Sequence, residues 1–154
     1  MPIQSCPCGG AEYARCCQPL HLGQAHAVTA EQLMRSRYSA FALAQIDYIV
    51  QTTAIAQQAT LDRAAITDWS QSNRWLGLEV LQTNEQLDKH HALVEFRAHY
   101  DDGQPQQHHE RSYFVRLDEH WFFLDPTTTG LPTMKQPCVC GSLKKFKHCC
   151  AQYL

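Results

Sequence analysis

The stretch HALVEFRAHYD, residues 91–101, alternates apolar and polar side chains along most of its length. A period of two places successive side chains on opposite faces of a strand, so the stretch predicts a half-buried β-strand. A further strand is predicted before it at 75–81, the alternation returns at 111–117, and the apolar run 121–124 follows a turn. Four strands in succession, joined by turns such as Asp102-Gly103, predict an antiparallel meander.

The first half of the chain has a helical period instead. Thr29 and Gln32 form a capping-box pattern, and the apolar residues from Leu33 to Ile49 recur at helical spacing. This pattern predicts one helix of about five turns, and a second helix is predicted from residue 60 or 61 to about 70. Helices followed by strands indicate an α+β domain whose helices pack on one face of the sheet.

The chain has eight cysteines, and all of them lie in two clusters near its ends. Each cluster combines a Cys-x-Cys turn with a Cys-Cys pair. Four thiolates are a preferred tetrahedral ligand set for zinc, so the pattern predicts two zinc ions. The loop inside the N-terminal cluster is one residue shorter, which leaves open whether that cluster holds zinc. The predicted ligands are Cys6, Cys8, Cys16, Cys17, Cys138, Cys140, Cys149 and Cys150.

Disulfides and redox-active thiols are the alternatives to zinc. Secreted, disulfide-stapled proteins usually spread their cysteines through the chain, whereas residues 18–137 contain none. The opening MPIQSCPCGG has neither the basic nor the apolar segment of a signal peptide, so we expect a cytoplasmic protein with reduced thiols. A catalytic zinc is disfavoured because four cysteines close the ligand shell and His108-x-Glu110 lacks a Pro-Cys-x-x-Cys partner.

Composition limits the classes of protein that fit. The chain has 154 residues, of which 44% are hydrophobic and 18% charged, enough for one packed domain with small appendages. It has no apolar run of the roughly 18 residues that span a bilayer. The net charge is −2, yet Asp125 is the last acidic residue and four lysines follow it. We expect three domains, at 1–20, 21–136 and 137–154.

Several stretches resemble known families. CVCGSLKKFKHCC (138–150) resembles the SEC-C motif, a zinc-binding module named for the C-terminal end of the preprotein translocase ATPase SecA. CPCGGAEYARCC (6–17) looks like a degenerate second copy. Together with LMRSRYSAF (33–41), RWLGLEV (74–80) and HERSYF (109–114), the chain is similar to the bacterial YchJ family. The resemblance implies an NTF2-like central domain, a curved antiparallel sheet wrapped by helices, flanked by two zinc modules.

The resemblance to the SecA tail implies a surface that recognises another protein. We expect Ser142 to cap a short helix through Cys150 that exposes a basic face. The expected function is a non-catalytic adaptor that docks a protein partner through Lys144, Lys145 and Lys147. Nucleic-acid binding by so few lysines would be weak and salt-sensitive. No membrane partner is expected, and a homodimer through the sheet is left open.

The alternative function uses a pocket in the central domain, as a small-molecule binding protein or an enzyme. Buried charges require partners, so an arginine–carboxylate cluster inside the sheet could bind a small anion. The simpler interpretation is a structural ion pair from Arg35 or Arg37 to Glu110 or Asp125. The candidate pocket residues are Arg35, Arg37, Tyr38, Glu110, Arg111 and Asp125.

Overall fold

The computed structural model describes residues 4–154 as a four-stranded sheet with helices on one face and a cysteine-rich module at each end. The α-helices are α1 (Gln18–His21), α2 (Ala30–Ala42), α3 (Ile46–Gln51) and α4 (Arg63–Ser72); the strands are β1 (Arg74–Asn84), β2 (His91–Asp101), β3 (Pro105–Leu117) and β4 (His120–Leu124). Four short 3-10 helices span Tyr13–Arg15, Ile55–Thr60, Phe146–His148 and Ala151–Tyr153.

The sheet is an antiparallel meander in the order β1-β2-β3-β4, which confirms the predicted α+β class. Two irregularities in β1, between Trp75 and Gly77 and between Val80 and Gln82, shift its register against β2. Extra residues of this kind bend a strand and increase its twist. Helix α2 lies across the inner face of the sheet and contacts β1, β2 and β4.

The main core lies between α2 and this inner face. Leu33 and Met34 of α2 pack with Val94, Phe114 and Trp121 from three strands. Phe114 is 1% exposed, and burying a side chain of this size contributes roughly 1.5–3 kcal/mol. Packing of this apolar stripe on the alternating strand faces therefore fixes where the helix lies.

Strand β3 begins earlier than its sequence pattern predicts. The predicted strand starts at residue 111, but pairing with β2 extends back to Pro105, opposite Asp101. Backbone hydrogen bonding to β2 overrides the polar composition of residues 104–109. Because the period is two, His108, Glu110 and Ser112 share the inner face with Phe114.

The predicted long helix is two helices. α2 ends at Ala42, and Ala44 has a φ of 56°, a left-handed conformation that terminates a helix. The Gln45 N–H donates to the Ala40 carbonyl at 2.8 Å, and the Ala44 N–H donates to the Phe41 carbonyl. These two bonds form a Schellman motif. The apolar spacing continues into α3, which is why the sequence pattern does not show the break.

Other helix ends have simpler causes. Thr29 Oγ1 accepts from the Gln32 N–H at 3.0 Å, which confirms the predicted start of α2. Asp62 caps α4 in the same way, so that helix begins at Arg63. Between α3 and α4, Thr53 pairs with Phe123 and covers the outer edge of β4.

The two cysteine-rich modules pack on different parts of the central domain. The N-terminal module contacts Tyr38 and Ala98 near the open end of α2 and the sheet. The C-terminal module covers the outer face, where Val115 and Leu124 are each 1% exposed. The domain boundaries stay a prediction. Within residues 4–154, no helix is long and apolar enough to cross a membrane.

Two candidate metal centres and a central cavity

Each cysteine cluster brings four sulfur atoms together. In both clusters every pair of Sγ atoms lies within 4.8 Å. The shorter separations are 3.5 Å for Cys8–Cys16 and 3.6 Å for Cys140–Cys149. Four sulfurs at about 2.3 Å from a zinc ion would be about 3.8 Å from one another. A disulfide would bring two sulfurs to about 2.0 Å, and all eight cysteines are free.

Backbone turns shape the N-terminal cluster. The Gly9 N–H donates to the Cys6 carbonyl at 3.1 Å and closes the Cys-x-Cys turn. The Tyr13 N–H donates to the Gln4 carbonyl at 2.9 Å, and the Cys16 N–H donates to the Tyr13 carbonyl at 3.0 Å. These bonds bring the Cys-Cys pair back over the turn.

The C-terminal cluster repeats the same bonds. The Gly141 N–H donates to the Cys138 carbonyl at 3.3 Å, the Phe146 N–H to the Gln136 carbonyl at 2.8 Å, and the Cys149 N–H to the Phe146 carbonyl at 3.0 Å. A buried aromatic residue, Tyr13 or Phe146, begins the 3-10 helix before each Cys-Cys pair. The N-terminal cluster is therefore a second copy of the same backbone arrangement, although its inner loop is one residue shorter.

The helix predicted from Ser142 to Cys150 does not form. Leu143 has a φ of 68°, and only Phe146–His148 adopts a 3-10 turn before Cys149. Pro137 pairs with Lys145 across the loop. Bringing Cys149 and Cys150 against Cys140 requires a chain reversal, and an α-helix starting at Ser142 would carry them away in one direction. The lysines therefore do not form a helical face.

Side chains of α2 support the N-terminal cluster. Ser39 Oγ lies 3.3 Å from Cys17 Sγ and 3.5 Å from Cys6 Sγ. Arg35 donates from Nη1 to the Cys8 carbonyl at 2.8 Å and from Nε to Glu31 at 2.8 Å. Such groups around the ligands orient them and raise metal affinity.

A buried histidine supports the C-terminal cluster. His91 is 3% exposed, and its Nε2 lies 3.3 Å from Cys150 Sγ. Its Nδ1 lies 2.8 Å from Asp88 Oδ1, and the Tyr153 hydroxyl donates to the other Asp88 oxygen at 2.9 Å. The spacing of cysteines alone does not reveal this histidine, which begins β2 and reaches the cluster only because the module folds back on the sheet.

The thiols of each cluster have strongly divided acidities. A hydrogen bond from Cys17 lowers the pKa of Cys8 to about 4, and the same contact, helped by burial, raises the pKa of Cys17. Hydrogen bonds from Cys138 and Cys150 likewise lower the pKa of Cys140. A thiolate held among thiols is the ionised form that a cation such as zinc binds.

The three predicted docking lysines belong to the C-terminal module, where Lys144 lines a cleft with Asp118 and Glu119 of the turn between β3 and β4. Lys144, Lys145 and Lys147 are exposed, and none forms an ion pair with another residue of the 4–154 range. Leu143 beside them is 85% exposed and Met134 is 56% exposed. The module therefore exposes both positive charge and apolar side chains.

A cavity of about 210 Å³ lies in the central domain, between the sheet and helices α2 and α4. Its walls are mostly apolar and include both aromatic and aliphatic side chains. Of the six predicted pocket residues, Arg37, Tyr38, Glu110 and Asp125 line it.

Arg35 and Arg111 are not lining residues, which corrects the prediction for both. Arg35 points toward the N-terminal cluster, where it binds Glu31 and the Cys8 carbonyl. Arg111 is exposed because it has the opposite strand parity from Glu110. The alternative prediction, an ion pair from Arg35 or Arg37 to Glu110 or Asp125, is wrong as well. No carboxylate of the described residues lies within 4.0 Å of Arg37, and Arg35 pairs with Glu31.

Arg37 is a buried cation at the base of the cavity. It is 9% exposed, and its Nη1 donates to the Ile49 carbonyl at 2.8 Å and to Thr52 Oγ1 at 2.7 Å. The guanidinium carbon stacks 4.5 Å from the centre of the Phe123 ring. Burial lowers the pKa of Arg37 to about 10, so the group stays charged at neutral pH.

Glu110 faces Arg37 across the inner face of β3. It accepts hydrogen bonds from Ser112 and from His108 Nε2, the latter at 3.2 Å. Burial acts to raise the pKa of Glu110, but these bonds and the nearby Arg37 outweigh it and lower the pKa. His108 and Ser112 were not predicted as cavity residues. Ser112 lies within the predicted strand on the same face as Glu110, and extending the alternation back from residue 111 to residue 108 would have added His108.

Comparison with known proteins agrees with this architecture. Residues 29–126 match the family model described as "YchJ, middle NTF2-like domain", and residues 134–152 match the SEC-C motif. A UPF0225 protein of Haemophilus influenzae is 52% identical over 98% of this chain and 94% of its own length. A UPF0225 protein of Actinobacillus succinogenes is 48% identical over 97% of both chains.

Two solved structures are also similar. The crystal structure of a SEC-C motif containing protein from Psychrobacter arcticus has a TM-score of 0.91 and 45% identity, covering 99% of this chain and 98% of the other. The solution structure of a SEC-C motif containing protein from Rhodopseudomonas palustris has a TM-score of 0.72 and 37% identity, covering 79% and 96%. The expected NTF2-like fold and SEC-C motif are confirmed, and the chain belongs to the YchJ family.

Proposed function

We propose that both cysteine clusters hold a zinc ion in a structural role. The observation that carries this proposal is the near-tetrahedral spacing of the four sulfurs in each cluster, in a chain with no disulfide. Four cysteine ligands leave no open position for water or substrate, so the centres stabilise the fold and do not catalyse a reaction. Reduced thiols of this kind suit a cytoplasmic protein.

Native mass spectrometry of protein purified without added metal tests this proposal. We expect a mass shift of two zinc ions, reduced to one by Cys8→Ser and likewise to one by Cys140→Ser. Loss of metal from both sites in either variant, or a metal-free mass that indicates disulfides, would overturn the assignment of two independent zinc centres.

We propose further that the C-terminal module docks an acidic segment of a partner protein. Three exposed lysines that form no ion pair within residues 4–154 offer positive charge, and Leu143 beside them is 85% exposed. Exposed apolar groups ringed by charge mark protein contacts more often than nucleic-acid contacts, which favour stacked aromatic residues. The buried side of the module, with Phe146 at 3% exposure, is already used against the sheet.

Affinity capture with a charge-reversed variant tests the docking surface. The variant carries Lys144→Glu, Lys145→Glu and Lys147→Glu. A control with the same charge change carries Arg15→Glu, Arg74→Glu and Lys89→Glu, all exposed and outside the module. We expect a protein that the wild type and control capture and the first variant loses, and that binds the purified wild type in a salt-dependent manner. Equal capture by all three, or capture abolished by nuclease, would contradict the proposal.

A further inference from the structure

The central cavity is the second chemically distinctive place in the molecule, and neither the metal centres nor the docking surface uses it. We propose that it binds a small, planar aromatic molecule that carries a neutral carboxamide or lactam group. The carbonyl of that group would accept from Arg37 and its N–H would donate to Glu110. The inference goes beyond the proposed function, because it makes the central domain a ligand-binding domain.

Arg37 leaves several of its hydrogen-bond donors without an acceptor. A guanidinium has five N–H donors, and in Arg37 only Nη1 has acceptors among the described residues. Arg97 Nε is the one fully buried side-chain nitrogen or oxygen without a partner in residues 4–154. The Nε and Nη2 atoms of Arg37 therefore keep some accessible surface, and Arg37 is a lining residue of the cavity.

Glu110 is a hydrogen-bond acceptor on the opposite wall of the cavity. Glu110 receives one hydrogen bond on each oxygen, from His108 and from Ser112. A carboxylate offers about four lone-pair sites, so acceptor capacity remains. The cavity thus presents unused donors at Arg37 and an unused acceptor at Glu110, and these two groups do not bind one another directly.

The charges on the cavity walls favour an uncharged ligand. The walls carry one buried cation, Arg37, two carboxylates, Glu110 and Asp125, and His108, which pairs with Glu110 at the exposed end. Asp125 accepts from the Thr127 N–H at 2.8 Å and from its hydroxyl at 2.6 Å, both on Oδ1, and this turn holds its carboxylate at the cavity wall. A ligand carboxylate would add a third negative charge to a partly buried site, which is costly. A neutral group with an acceptor beside a donor matches the walls without adding charge.

The shape and size of the cavity suit a single aromatic ring. The remaining walls combine aromatic and aliphatic side chains, and Trp69 and Trp75 meet edge to face with their ring centres 5.7 Å apart. A cavity of about 150 Å³ is large enough for benzene, so about 210 Å³ fits one substituted ring. Trp69 is 39% exposed and half of the His108 side chain is exposed, so the entrance of the cavity lies beside these two residues.

The test uses the zinc-loaded full chain and benzamide as the probe. Acetophenone keeps the ring and the carbonyl but lacks the N–H, and benzoate keeps the ring but carries a negative charge. We expect benzamide to shift the NMR signals of the Arg37 Nε–H and the tryptophan indoles at millimolar concentration, with both controls at least about tenfold weaker. Equal binding of benzamide and acetophenone, tighter binding of benzoate, or no benzamide binding would each overturn the proposal.

Variants separate the polar contacts from the aromatic walls. We expect Arg37→Gln and Glu110→Ala each to weaken benzamide binding by about tenfold. Arg111→Gln, on the same strand as Glu110 but outside the cavity, is the matched control and should bind like the wild type. Should Arg37→Gln not fold, Glu110→Ala and the benzamide–acetophenone comparison still decide the outcome.

Discussion

At the scale of single residues, His91 links the C-terminal cluster to the sheet. We expect His91→Ala to lower the zinc affinity of that cluster by about 10- to 100-fold, because it removes the side chain that lies 3.3 Å from Cys150 Sγ. Competition with a chelator, followed by native mass spectrometry, measures the loss. His90→Ala is the matched control, since His90 is exposed. Equal zinc retention in both variants would show that His91 does not support the site.

His108 and Glu110 form a pH-sensitive pair at the cavity mouth. The hydrogen bond to Glu110 raises the pKa of His108 above its ordinary 6.5, and the pKa of Glu110 lies below its ordinary 4.5. The contribution of His108 to stability is therefore present below pH 6.5 and lost as the pH rises through its folded pKa. The contribution of Glu110 is present above pH 4.5 and lost as the pH falls through its own folded pKa.

The pair of His108 and Glu110 therefore stabilises the fold most between pH 4.5 and pH 6.5. We expect Glu110→Gln to return the pKa of His108 toward 6.5, as measured by an NMR titration. The stability difference should be about 0.5 kcal/mol near pH 6 and smaller near pH 8, because the pair is partly exposed. Glu119→Gln is the exposed control. A pKa of His108 unchanged in Glu110→Gln would contradict the pairing.

Residue chemistry was predictable wherever the pattern was local. The spacing of the eight cysteines predicts two groups of four, and the sulfurs of each group do come together. The docking role of the three lysines stays a prediction. The places of Arg35 and Arg111 could not be predicted correctly. Each lies within two residues of a cavity residue, Arg37 or Glu110, and only the direction of the side chain decides which of them reaches the cavity. That direction depends on helix rotation and strand register, which the sequence pattern defines to within a residue or two.

At the scale of elements, the break between α2 and α3 is the clearest departure from the sequence pattern. Helix ends usually carry glycine in the left-handed position, but here the residue is alanine, at a φ of 56°. The apolar spacing crosses the break undisturbed, so periodicity alone indicates one helix. The start of α2, in contrast, has a capping residue that the sequence shows directly.

The same break yields a prediction. We expect Ala44→Gly to stabilise the protein by about 1 kcal/mol, because glycine adopts the left-handed conformation without the steric cost that a Cβ imposes. Urea unfolding monitored by circular dichroism measures the change. Ala42→Gly inside the end of α2 is the control and should destabilise by about 0.5–1 kcal/mol. A destabilising effect of Ala44→Gly would show that the turn is not a source of strain.

At the scale of the whole molecule, the C-terminal module is part of the core and not a free appendage. The alternating strand pattern predicts a sheet with one solvated face, but Val115 and Leu124 on that outer face are buried by the module. The Ala56 N–H also donates to the Val139 carbonyl at 2.9 Å and joins the module to the segment before α4. A cysteine cluster far away in sequence therefore completes the domain, which local patterns do not reveal.

This packing makes the central domain depend on the C-terminal metal centre. We expect Cys149→Ser to lower the free energy of unfolding of the central domain by about 3 kcal/mol, because loosening the module exposes Val115 and Leu124. All three tryptophans lie between residues 69 and 121, so their fluorescence during urea unfolding reports on this domain alone. Lys147→Ser, an exposed substitution in the same module, should leave the midpoint unchanged. An unchanged tryptophan midpoint in Cys149→Ser, with its zinc lost, would show instead that the domain is stable without the module.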